Sequence, residues 1–318
     1  MPGASTDNSG AAANSTSDNV ELASANSPFA HVNFRSASEI SNHPRFQQAH
    51  DCLVDGLASL YGNDRRTVRS LTEFVPAVSF MVIICLDANY DPEQPATFVT
   101  LSLLRSMLKM MGITDGRRVA GIVNGLEMDG YLTRELVPND RRAYHLRPTE
   151  KMLATDREWI AVFHAPLALL YPEDPVFRAA VARDPAYQKA YRRISLSTLS
   201  FANKITRDNP VISFFLAHSV GIRILMVLAL MVRGRTPPRT PAGFYTATAK
   251  ITSVSRTHVS NLMQEAANRG LVTLSNPPGR FVEMKPVLEQ ALAQWISDAL
   301  SGIDLVATIA KDQLKPAG

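Results

Sequence analysis

The sequence predicts a mainly α fold with two small β-hairpins, built as two diverged copies of one unit. Three internal matches carry that expectation. Pro44-Arg45-Phe46-Gln47-Gln48-Ala49 recurs as Pro185-Ala186-Tyr187-Gln188-Lys189-Ala190, 141 positions later. The stretch Val119 to Gly130, followed by Tyr131-Leu132, recurs as Val259 to Gly270 followed by Leu271-Val272, 140 positions later. Glu158-Trp159-Ile160 recurs as Gln294-Trp295-Ile296 at a spacing of 136, and these are the chain's two tryptophans. Matches in the same order at nearly one offset divide the chain. They give a disordered or loosely ordered tail (1–42), repeat one (43–170), a proline-containing connection (171–183) and repeat two (184–318). Pro166, Pro172, Pro175 and Pro185 suit a bent link between the repeats.

Repeat one opens with helical apolar spacing over Arg45 to Tyr61, with Phe46, Ala49, Leu53, Leu57 and Leu60 on one face. Leu71 to Leu86 is a more completely apolar helix, closed by the turn-forming Asn89-Tyr90-Asp91-Pro92. A helix follows from Thr100 to Met111 and stops at Gly112. Asp115 can cap the next helix, whose Val119, Ile122, Val123 and Leu126 face inward. After Gly130, Tyr131 to Val137 and Ala143 to Arg147 alternate as two strands around the tip Pro138-Asn139-Asp140-Arg141-Arg142. A long helix with Trp159 and Phe163 ends the repeat.

Helix, short turn, helix and a hairpin with a charged tip describe a winged helix-turn-helix. Its second helix fits the major groove, and the hairpin reaches phosphates or the adjacent minor groove. The expected architecture is therefore two such units packed as a pseudo-dimer through long helices. In repeat one the outward positions of the second helix are Gly116, Arg117, Arg118, Gly121 and Asn124. In repeat two they are Arg256, Thr257, His258, Ser260, Asn261 and Gln264. Arginine can pair bidentately with guanine, a contact worth about 1–3 kcal/mol of discrimination. At the first tip Asp140, Arg141 and Arg142 are candidates, with Asp140 orienting Arg142 through a charge-assisted hydrogen bond or fixing the turn. Arg280 is the corresponding residue in repeat two.

The run Asp140-Arg141-Arg142-Ala143-Tyr144-His145-Leu146-Arg147-Pro148-Thr149 resembles the wing of the MarR family of bacterial regulators. Val123 through Leu126-Glu127 to Gly130-Tyr131-Leu132 resembles the end of that family's recognition helix. Ser255-Arg256-Thr257-His258-Val259-Ser260-Asn261-Leu262 is similar to its start, and Arg269-Gly270-Leu271-Val272 to its end. The tip Ser275-Asn276-Pro277-Pro278-Gly279-Arg280 lacks the Asp-Arg-Arg pattern. The resemblance implies a transcription regulator of double-stranded DNA, a repressor more often than an activator, acting in the cytoplasm at the nucleoid. That family works as homodimers, so a second protomer supplied in cis would make one chain a pseudo-dimer, with further self-association open. It also implies room for a small-molecule effector, with Phe74, Phe80, Met81, Phe214, Phe215 and Met226 as apolar lining or plain core.

Composition is that of a globular protein, at 46% hydrophobic and 19% charged residues. Residues 1–42 hold one arginine against four carboxylates, a net of −3, which leaves about +7 of the formal +4 for the remainder. The loop before the second helix pair carries Arg233, Arg235 and Arg239, where repeat one carries Asp87, Asp91 and Glu93. The halves should therefore meet phosphates unequally and read an asymmetric site. Cys52 and Cys85 sit in apolar helical patterns as core thiols rather than a disulfide framework. No secretory signal is read at the N-terminus.

Val211 to Val232 is apolar enough to raise a membrane span, but Arg223 near its middle would cost at least about 2.5 kcal/mol there. A buried interface helix fits better. No nucleotide-binding glycine loop, G-x-S-x-G elbow or H-E-x-x-H pair is present, which points away from an enzyme and from a cofactor. His43, His50 and Cys52 come nearest to a metal cluster and fit packing roles better. Two other classes remain open: a replication initiator with two winged helices, and a winged-helix scaffold that does not read DNA.

Overall fold

The computed structural model describes residues 29, 31–60, 62, 71, 73–114, 116–137, 140–276 and 280–314, except for the side chains of residues 141, 199–204, 206 and 207. Among them the chain is mainly helical, with two small antiparallel sheets of two strands each. After a short α1 (Ala37–Ser41), the first half runs α2 (Phe46–Ser59), α3 (Phe74–Ala88), α4 (Leu101–Met110) and α5 (Val119–Met128). It then continues as β1 (Leu132–Val137), β2 (Asp140–Pro148) and α6 (Glu150–Leu170). A connecting α7 (Pro175–Val181) leads to the second half: α8 (Pro185–Arg207), α9 (Pro210–Leu216), α10 (Gly221–Val232), α11 (Phe244–Thr252) and α12 (Arg256–Asn268). The chain closes with β3 (Val272–Leu274), β4 (Val282–Met284) and α13 (Pro286–Gln313).

Local chemistry sets these boundaries. Thr100 caps α4 by accepting from the Leu103 amide at 3.1 Å, and Thr149 caps α6 by accepting from Met152 at 3.3 Å. Gly130, at φ +73°, closes α5 so that the Tyr131 amide returns to the Leu126 carbonyl at 2.8 Å. β1 and β2 pair from Leu132 opposite Pro148 to Leu136 opposite Tyr144, with a shift of register beyond Leu136.

The same backbone contacts recur in the second half. Gly270 takes φ +74° and the Leu271 amide returns to Ala266 at 2.9 Å. An isolated bridge joins Thr100 to His145 in one half and Arg239 to Glu283 in the other. The Leu146 amide donates to Val99 at 2.7 Å, as the Met284 amide does to Pro238 at 3.0 Å. Corresponding residues in these contacts are 138–140 positions apart.

The first helix of each half packs on the last of that half, α2 on α6 and α8 on α13. The halves also exchange helices reciprocally, with α10 lying on α2 and α3 on α8. One large core holds α2, α6, α8 and α13 and the whole helix-and-hairpin part of the second half. The corresponding part of the first half has a separate core around Leu104, Leu108, Val119, Val123 and Leu146.

Four expectations need correction. The apolar run Val211–Val232 is not one helix: α9 and α10 meet at 114°. Val220 there takes φ +49°, and a Cβ on Gly221 would lie 2.1 Å from the Phe215 carbonyl oxygen, so only glycine admits the elbow. No single helix among the described residues is long and apolar enough to cross a membrane. Arg223 is buried, and its guanidinium donates to the carbonyls of Ala58 at 3.1 Å and Gly62 at 2.6 Å.

Residues 31–42 are not a loose tail. Ser36 and Glu39 form a capping box for α1, whose Ile40 is buried, and Arg35 donates through its amide and guanidinium to the buried Asp304 at 2.6 and 2.7 Å. Pro166 lies inside α6, buried, whereas Pro175 and Pro185 start α7 and α8 where no amide donor is needed. Gly116 is buried at φ +89° in the turn before α5, not outward on the helix. Residues 1–28, Asp115 and the tips Pro138-Asn139 and Pro277-Pro278-Gly279 lie outside the described residues.

Candidate nucleic-acid interface

The outward face of α12 is polar along its length. Arg256, Thr257, Ser260, Asn261 and Gln264 are exposed, opposite the buried Val259, Leu262, Met263 and Ala266. Ser255 caps the helix by accepting from the His258 amide at 3.0 Å, which leaves Arg256 at the first helical position. His258 departs from the expected set. Its ring meets the Ser219 carbonyl at 2.9 Å and turns toward the α9–α10 elbow. His218 of the same elbow reaches Glu265 at 3.1 Å.

The face of α5 is sparser. Arg117 and Arg118 are exposed but precede the helix, with Arg118 at its N-cap. Asn124 and Met128 are exposed beyond them, with Gly121 between, and a Cβ on Gly121 would meet nothing within 4 Å. The Asn124 side chain is engaged: Arg134 of β1 donates to its Oδ1 and pairs with Glu127 at 3.1 Å. Arg134 was missed in the sequence, where it reads as one of several polar residues on an alternating strand.

At the first hairpin Asp140 does fix the turn, accepting from the Arg142 backbone amide at 2.9 Å rather than from its guanidinium. Arg142 is exposed; the Arg141 side chain lies outside the described residues. The base of this hairpin is packed, with the buried His145 ring tilted against Tyr90 at 4.6 Å and edge-on to Phe98 at 5.1 Å between ring centres. Burial, seconded by Arg147, holds His145 below the usual imidazole range, so it is neutral packing material. The second hairpin is shorter, and the buried Ser275 ties it by accepting from the Arg280 and Phe281 amides at 2.9 and 3.2 Å. Arg280 itself is exposed.

The expected basic loop is largely neutralised. Arg233 pairs with Asp51 at 3.3 Å and Asp55 at 2.9 Å, and Arg239 pairs with Glu283 while lying over the Phe281 ring. Arg235 is exposed. In the first half Asp87 is likewise engaged, by Arg147 at 3.3 Å.

A cleft of about 850 Å³ opens between the two halves. Phe74, Ile113 and Ile122 line it from the first half and Leu216 from the second, with Glu73, Arg118 and His218 as its ionisable side chains. Of the expected lining only Phe74 reaches it. Phe80, Phe214, Phe215 and Met226 are core, and Met81 packs against the first half's core. Cys85 is fully buried and its thiol is pushed up to about 12 by burial; burial also raises the half-buried Cys52. No group of three metal-ligating side chains occurs among the described residues. No protein-family model matches the chain, and comparison with curated proteins and with solved structures finds no match.

Proposed function

We propose that this protein is a DNA-binding transcription regulator, a repressor by its resemblance, built of two winged helix-turn-helix units that form a pseudo-dimer within one chain. The observation that carries the reading is the recurrence of one unit, down to its backbone contacts, with the long helices exchanged between the halves. Each copy sets an exposed helix face beside a hairpin bearing an exposed arginine, Arg142 or Arg280. Those are the parts needed to enter a major groove and hold its flanking phosphates. The two faces differ residue by residue, so the site should be two non-identical half-sites. The working place is the cytoplasm, at the nucleoid, and one chain suffices because tethering supplies the second unit at high effective concentration.

Selection of bound sequences from random duplexes tests this directly. The expected result is an asymmetric consensus bound by one chain in analytical ultracentrifugation, with affinity falling steeply as salt rises. Arg142→Ala and Arg256→Ala should each weaken binding and reduce the salt slope by about 1 if the arginine meets a phosphate. No preference for any duplex would overturn the reading and favour an interaction scaffold; preference confined to an origin of replication would favour an initiator. The inter-half cleft supports an effector role as well. A small molecule with an apolar ring and a polar group that can meet Arg118 would match its residues, and its binding should change duplex affinity reciprocally.

A further inference from the structure

The first hairpin ends in an exposed apolar pair. Leu136 of β1 lies directly opposite Tyr144 of β2, and the two residues are 59% and 49% exposed. Residues opposite each other in an antiparallel ladder project from one face, and alternate residues along a strand share it. Leu132, Arg134 and Leu136 therefore line one face together with Pro148, Leu146 and Tyr144. Nearest the helices that face is core, with Leu132 and Leu146 buried. At its middle Arg134 reaches Asn124 and Glu127 of α5. About 7 Å further along the strand the core has ended, and Leu136 and Tyr144 stand in solvent. Single exposed apolar side chains are ordinary, but two fixed face to face make a small surface.

The second hairpin puts different chemistry at the same place. Its rung Leu274–Val282 matches the rung Arg134–Leu146, so two residues outward Asn276 and Arg280 stand where Leu136 and Tyr144 do. Both are exposed, and both can meet phosphates or base edges. The hairpin itself thus needs no apolar pair there. The pair also adjoins the proposed DNA face. Arg134, from the same face of the hairpin, touches Asn124 on the outward side of α5, and exposed Arg142 lies two positions before Tyr144. A hairpin beside a helix in the major groove meets the adjacent minor groove, whose deoxyribose walls and base steps accept apolar side chains.

We infer that Leu136 and Tyr144 form an apolar contact surface for the minor groove beside the first half-site, where the second hairpin offers polar groups instead. The inference rests on the proposed DNA-reading function. Its test uses the full chain with Leu136→Thr and Tyr144→Thr together, threonine being suited to a strand. Affinity for the selected duplex should fall roughly tenfold or more as the apolar contact is lost. The salt slope should stay that of wild type, because an apolar contact releases no counterion. Arg142→Ala, by contrast, should flatten that slope. Hydroxyl-radical footprinting should show minor-groove protection lost at one flank of the site. Tyr144→Phe, which keeps the ring, should bind as wild type does. Leu136→Thr alone, with a loss of roughly threefold, serves if the double variant does not fold.

Unchanged affinity in the threonine variants overturns the inference while leaving DNA binding intact. So does a flattened salt slope, which would place the loss at phosphates. A weakened Tyr144→Phe would assign the contact to the hydroxyl and overturn it as well. Self-association of wild type in sedimentation, abolished in the double variant with duplex affinity kept, would give the surface to a second copy of the chain instead. Absence of any duplex binding by wild type is a different result: it removes the regulator reading itself, and the inference with it.

Discussion

The two junctions where the halves meet occupy equivalent places but are closed with different chemistry. In one, α6 meets α8: Asp156 is buried and takes Arg192 at 2.6 Å and Gln188 at 2.7 Å, while buried His164 sits 2.7 Å from the Tyr187 hydroxyl. In the other, α13 meets α2. At the spacings of the repeat, Asp156 becomes Leu292, His164 becomes Leu300, Tyr187 becomes Phe46 and Arg192 becomes Asp51. Leu292 and Leu300 are buried, and Asp51 is left near the surface with Arg233. The scaffold thus tolerates either a polar or an apolar seam. A buried polar seam contributes pairing identity more than stability, because it is costly to bury and costlier to break.

The largest effect should come from breaking that seam on one side. Asp156→Ala leaves Arg192 buried without its carboxylate and is expected to cost about 3–5 kcal/mol in urea unfolding. Replacing both partners, Asp156→Leu with Arg192→Met, should recover most of the loss, since the other junction already works with leucine. A double variant as unstable as the single one would show that the two seams are not interchangeable.

The two helix-and-hairpin units differ in the same spirit. The second shares its core with the long helices; the first has its own. Leu262→Ala and Leu104→Ala each empty a buried position and should each cost about 2–5 kcal/mol. The expected difference lies in how far the loss spreads. In native-state hydrogen exchange, Leu104→Ala should raise exchange within the first unit and spare α8, α10 and α12. Leu262→Ala should expose the long helices as well. Equal spreading from both sites would erase the distinction between shared and separate cores.

Acid should attack the polar junction and leave the apolar one alone. Burial, with a smaller contribution from Arg192, pushes His164 down to about 3, so the folded protein holds it neutral where the unfolded chain, near 6.5, takes a proton. Between those values the unfolded state binds more protons, and stability falls with falling pH by up to about 1.4 kcal/mol per unit from this group. No such loss is expected above pH 6.5. Denaturant unfolding of wild type and His164→Phe across pH 7 to 4.5 would read it. The variant should show the shallower slope, and parallel slopes would assign acid sensitivity elsewhere.

Much of the fold was legible because it was written in local signals. The apolar face of α2, the Thr100 and Gly130 boundaries and the hairpin strands are set by residues a few positions apart. The elbow was hidden because hydropathy is blind to backbone angle: Val220 and Gly221 read as two more apolar residues in a run. The polar faces of α5 and α12 were placed by helical spacing alone. Their working states were not, since Arg134 on Asn124 and Ser219 on His258 depend on which elements fold together. The strap made by Arg35 on Asp304 joins residues 269 apart, beyond any local pattern.

The smallest expected effect concerns the cation that sequence alone assigned to a phosphate. Arg233 is about one third exposed and closes the outer edge of the apolar junction on Asp51 and Asp55. Those carboxylates hold its guanidinium, and the side-chain bond to Asp55 raises its pKa. If the arginine is spent there, Arg233→Ala should cost only the roughly 0.2–1 kcal/mol of a half-exposed pair and shift duplex affinity little. Arg235→Ala, on the exposed neighbour, should lower affinity and flatten its salt dependence instead. The opposite ranking in binding would mean that Arg233 leaves its carboxylates for DNA, and that the apolar junction loosens when the chain is bound.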